Sequence, residues 1–219
     1  MSQCVQRIGM LGGTFDPVHL GHLRSAVELH EALSLDRLHM IPAQQPPLRG
    51  QPQVPAHQRL ALLKAGIGDT LGLVADDREL QRAGPSYSAD TLAELRAEYG
   101  EQARLIMAIG FDAFLRLAQW YQPARIFDFA HLVVIARPGY SDSLPPSLME
   151  LVEHRAVDSV DTLMQQPCGG YLSLELPSLM AISATYIRQR LEAGKSVRYL
   201  VPPAVEQAIA HHGLYQQCE

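Results

Sequence analysis

Short apolar runs alternate with amphipathic stretches along the whole chain, and few folds accommodate that rhythm. Arg7–Leu11, Leu38–Ala43, Leu71–Val74, Arg104–Ile109, His131–Ala136 and 171–176 read as strands. Between and after them, 20–33, 57–67, 88–99, 111–120, 145–154, 183–193 and 203–211 carry helical spacing or helix-end signals. Strands separated by helices imply right-handed crossovers and an α/β fold: a Rossmann-like, mostly parallel sheet with helices on both faces. Such sheets bind ligands at the carboxyl ends of their strands. At 219 residues the chain fits one domain, 1–219, with a small helical portion at about 183–219.

Composition narrows the class. The chain is 47% hydrophobic and 19% charged, with a formal net charge of -5 and no basic cluster, which argues against bulk binding to nucleic acid or anionic membranes. Its three cysteines, Cys4, Cys168 and Cys218, form neither a CxxC pair nor an even framework, as expected of a reduced cytoplasmic protein. The longest apolar runs, 105–111 and 131–136, fall short of a membrane span. Oligomeric state is left open, with a homo-oligomer as one option.

The segment GGTFDPVHLGH, 12–22, lies at the exit of the first strand and the start of the first helix. Gly12 and Gly13 let the backbone turn tightly and approach a ligand, and Asp16 and Pro17 suit a turn or helix start. His19 and His22, three apart, share one face if both are helical. Gly21 costs about 0.5–1 kcal/mol relative to alanine inside a helix, so space is needed there. Bare backbone, two imidazoles and a helix amino end together describe a phosphate cradle; metal ligation would need a third ligand, for which Asp16 is the only local candidate. At the far end, in ISATYIR (182–188), Ser183 suits an N-cap and Thr185 the first turn, with Arg188 on the same face. Two hydroxyls, free amides and a guanidinium suit the β and γ phosphates of a triphosphate. Three other patterns carry no chemistry. Gly194-Lys195-Ser196 lacks the earlier glycine of a P-loop, Gly66-Ile67-Gly68 follows a helix, and His211 and His212 suit a helix carboxyl end.

GGTFDPVHLGH resembles the HxGH signature, and ISATYIR the ISxTxIR motif, of the nucleotidyltransferase superfamily. SYSADTL (86–92) and GFDAFLRLAQW (110–120) resemble the SYTxDTL and GxDxxxxLxxW segments of bacterial nicotinate mononucleotide adenylyltransferases, with Ser88 in place of threonine; ArgProGly at 137–139 also matches. The resemblance implies transfer of AMP from ATP to nicotinate mononucleotide in NAD biosynthesis. It assigns catalysis to His19, His22 and Arg188, and ATP binding to Gly12, Gly13, Thr14, Phe15, Gly110, Asp112, Ser183, Thr185 and Arg188. The mononucleotide falls to Arg49, Tyr87, Ser88, Thr91 and Trp120, the indole stacking on the pyridine ring. Mg²⁺ is expected on the phosphates of ATP, with no protein metal site. The chain departs at the Pro-rich loop 44–55: relatives read like NPPHK, whereas here the sequence is Gln45-Pro46-Pro47-Leu48-Arg49, leaving Arg49 as the phosphate-facing cation. His57-Gln58-Arg59-Leu60 is read as support for that loop. The competing readings are the same chemistry on nicotinamide mononucleotide or phosphopantetheine, or a nucleotide-binding regulator without turnover.

Overall fold

A computed structural model describes residues 5–48, 50–136, 144–178 and 180–216. Arg49, the 137–139 segment, Cys4 and Cys218 lie outside the described residues. The strands are β1 (Arg7–Gly13), β2 (Arg37–Pro42), β3 (Leu73–Ala75), β4 (Arg104–Gly110), β5 (His131–Ile135) and β6 (Tyr171–Leu174). They form one sheet in the order β3-β2-β1-β4-β5-β6, and every pairing is parallel. The expected α/β sheet is therefore present and wholly parallel among the described residues.

The helices are α1 (Leu20–Ala32), α2 (Ala56–Ile67), α3 (Arg78–Gln81), α4 (Ser88–Tyr99), α5 (Phe111–Phe114), α6 (Ile126–Phe129), α7 (Pro146–Val152), α8 (Val160–Leu163), α9 (Ala184–Glu192) and α10 (Pro203–His211). Their distribution follows from strand periodicity. Ile106 and Ala108 of β4, with Val133 and Ile135 of β5, pack on the side that holds α1, α2 and the apolar residues of α9 and α10. Leu105, Met107, Ile109, Leu132 and Val134 alternate with them and meet Leu92 and Leu95 of α4, Phe114 of α5 and Leu148 of α7. Burial on both faces is why these strands read as continuous apolar runs. The order places β1 beside β4 at the centre, where the winding reverses, so a crevice opens at their carboxyl ends.

Two expected elements differ in detail, and three short helices were not expected. The helix expected over 111–120 ends at Phe114; a 3-10 turn at Leu117–Gln119 follows and Trp120 is extended. Phe114, Leu117 and Trp120 recur every three residues on one apolar cluster, the spacing that a 3-10 turn superposes. The edge strand begins at Leu73 instead of Leu71, because Gly72 turns through φ +77° and leaves Leu71 90% exposed. The single-turn helices α3, α6 and α8 are too short to show a period.

Candidate active site

The crevice is built on the exit of β1. Arg59 of α2, 1% exposed, reaches under it and donates to the carbonyls of Thr14 (2.6 Å), Ala43 (2.7 Å) and Val54 (3.1 Å). One planar guanidinium thus fixes the turn after β1, the exit of β2 and the end of the 44–55 loop, the support read from its sequence position. Gly13 is required by a close approach: a Cβ there would lie 2.9 Å from the ring of Phe15, which is buried with φ +48°.

His19 does not join the helical face expected for it. It is the N-cap of α1, extended at φ -145° and ψ 170°, and its Nδ1 accepts the backbone N–H of His22 at 3.3 Å. Accepting there assigns the ring proton to Nε2, leaving a neutral donor. The rings of His19 and His22 stack at 3.6 Å and 22°, and His22 meets Phe15 edge-on at 5.1 Å. Burial pushes the His19 imidazole down to about 4, because the cation loses its hydration. The space required at Gly21 is for this ring: a Cβ would lie 3.1 Å from His19 Nδ1 and 3.6 Å from the Met180 carbonyl.

The second motif meets the first through Asp16. Ser183 caps α9 by accepting the Tyr186 N–H at 3.2 Å. Arg188 donates to the Asp16 carbonyl at 2.7 Å and to the Thr185 hydroxyl at 3.3 Å. The Asp16 carboxylate is already occupied: Oδ1 accepts the Tyr215 hydroxyl at 2.8 Å and Oδ2 the Gln53 N–H at 2.9 Å. Asp16 is therefore a hub joining the β1 turn, the 44–55 loop, α9 and the segment after α10. Among the described residues no group of three His, Cys, Asp or Glu is placed to hold an ion. Sequence reasoning missed Tyr215, which carries no local signal.

Gly110 is the N-cap of α5, and Asp112 lies exposed in its first turn, one strand from β1. On the adjoining side, Tyr87 is the N-cap residue of α4 without a side-chain cap and stacks on Tyr121 at 4.3 Å, joining the 86–92 segment to the residue after Trp120. Ser88 and Trp120 are half-buried, the indole packing against the core beneath α4 and α5. Thr91 is fully buried, and its hydroxyl donates to Glu79 at 2.7 Å and accepts from Arg82 at 2.8 Å, so it organises the segment from below.

Comparison with known proteins gives the family. The family described as cytidylyltransferase-like matches residues 10–190. A protein of Chromohalobacter salexigens named probable nicotinate-nucleotide adenylyltransferase is 63% identical over 209 residues, 95% of each chain. Its namesake in Pseudomonas fluorescens is 44% identical over 96% of this chain and 98% of its own. The chain belongs to the nicotinate-nucleotide adenylyltransferase family. Among solved structures, the Plasmodium falciparum nicotinic acid mononucleotide adenylyltransferase complexed with NaAD superposes with a TM-score of 0.70 at 14% identity, over 96% of this chain and 97% of that one. At that identity the likeness speaks for the fold, and the high-identity relatives carry the family.

Proposed function

We propose that the chain joins ATP and nicotinate mononucleotide to give nicotinate adenine dinucleotide and pyrophosphate. A phosphate oxygen of the mononucleotide attacks the α phosphorus of ATP, and the bond from that phosphorus to its bridging oxygen breaks, releasing pyrophosphate. The nucleophile is already ionised, so no general base is needed. The site must align two polyanions and stabilise charge that develops on the transferring group. One observation carries the reading: Arg188, from the far end of the chain, is fastened to the Asp16 carbonyl in the turn that delivers His19. Two stacked imidazoles cannot both be cations cheaply, so His19 and His22 serve as donors to the α and β phosphates. Full positive charge comes from Arg188, and partial charge from the amino ends of α1 and α9.

The acceptor lies between the 86–92 segment and Trp120, with the indole face toward the pyridinium; the sequence assigns its phosphate to Arg49. Mg²⁺ is read as an ion carried on triphosphate oxygens and water. The reading keeps a cytoplasmic setting, supported by the cysteine usage. The test is pyrophosphate release with ATP and each acceptor in turn. Turnover is expected with nicotinate mononucleotide; preference for nicotinamide mononucleotide or phosphopantetheine, or no release with any acceptor, would overturn the proposal.

A further inference from the structure

Behind the acceptor side lies a carboxylate that the proposed chemistry does not touch. Glu79, on α3, is 5% exposed, and one of its oxygens accepts the Thr91 hydroxyl at 2.7 Å. The Ser86 hydroxyl lies beside the same carboxylate and favours its ionised form. Each hydroxyl has one proton to give, and each accepts from elsewhere. Thr91 takes Arg82 Nη2 at 2.8 Å, while Ser86 takes the backbone N–H of Gln44 at 2.8 Å and of Gln45 at 3.2 Å. Ser86 also donates its own N–H to the Gln45 carbonyl at 3.0 Å. Glu79 therefore holds the Thr91 end of the stretch 86–91 directly and sits beside Ser86, which ties the other end to the residues that open the 44–55 loop.

We infer that Glu79 is a positioning residue for the acceptor, holding Tyr87 and Ser88 in register with the start of the 44–55 loop through the Ser86 and Thr91 hydroxyls. The inference rests on the functional reading above, which places the mononucleotide against this stretch. An acceptor-only contribution follows from placement: the nucleotide cradle is fastened separately, by Arg59 and Asp16. The Thr91 hydroxyl has a longer alternative acceptor, the Tyr87 carbonyl at 3.3 Å, so a partner that only accepts keeps its proton on Glu79. An amide in place of the carboxylate offers one acceptor and one donor, so Glu79→Gln keeps the volume and weakens the hold on the two hydroxyls.

The experiment is steady-state kinetics of the full chain, varying nicotinate mononucleotide at saturating ATP and the reverse, with urea unfolding of each variant. Glu79→Gln is expected to raise KM for the mononucleotide about tenfold, with KM for ATP within twofold of wild type. Ser86→Ala, which removes the bridge to Gln44 and Gln45, is expected to raise the same KM severalfold, and it decides the matter if Glu79→Gln does not fold. A folded variant with both KM values unchanged, or with both raised together, reduces Glu79 to a structural role and overturns the inference alone. A wild-type chain that releases no pyrophosphate with this acceptor overturns the functional reading and the inference with it.

Discussion

His19 caps α1 and, on the proposed reading, also donates to substrate phosphate, and its burial makes the first task measurable. The folded protein resists protonating this ring until about pH 4, whereas an unfolded chain takes up the proton near 6.5. Between those values the unfolded state binds more protons, so the stability owed to the neutral ring is full above about 6.5 and declines as pH falls toward 4. Comparing urea unfolding of wild type and His19→Gln at pH 7 and pH 5, wild type should lose about 1–2 kcal/mol more than the variant over that interval. Equal losses would mean the imidazole titrates normally. His19→Ala and His22→Ala should each lower kcat by about 10²-fold or more, with far smaller effects on the unfolding midpoint. Arg59 works the other way. Arg59→Ala strands three carbonyls and should cost about 3 kcal/mol or more of stability, read from the denaturation midpoint.

At the scale of elements, legibility tracks repetition. The long helices and buried strands announce themselves through period, and the start of α9 through its cap residue. Ser183 sits where its type predicts, because a short hydroxyl at a helix start has one obvious use. His19 was assigned the wrong local geometry because imidazole is an uncommon cap and the spacing of three fitted a helix equally well. The 111–120 stretch shows the same ambiguity: a period near three serves a helix or a 3-10 turn, and the packing of Phe114 and Leu117 decides. That outcome bears on the acceptor, since an extended Trp120 followed by Tyr121 stacked on Tyr87 links two segments that the sequence separates by over thirty residues. Trp120→Ala should raise KM for nicotinate mononucleotide by about tenfold while KM for ATP stays near wild type. A KM unaffected by the change would return the indole to core packing alone.

At the scale of the molecule, the sheet order could be inferred as a class but not as a sequence of neighbours, because period reports burial and not partners. Least legible was the fastening of Asp16, whose partners Gln53, Arg188 and Tyr215 lie 37, 172 and 199 positions away. Tyr215→Phe tests that fastening. It removes the donor to a buried carboxylate and should cost about 1–2 kcal/mol of stability, together with a several-fold drop in kcat, since Asp16 also positions Arg188.

The same fastening gives the protein a temporal order. During synthesis from the amino end, β1 and its phosphate turn emerge early, but β4 must follow before β1 is flanked on both sides, and residue 215 before Asp16 is fully engaged. A chain cut between the sixth strand and that tyrosine would keep all six strands but leave Asp16 without its hydroxyl donor, so on the proposed reading the last residues complete the nucleotide cradle.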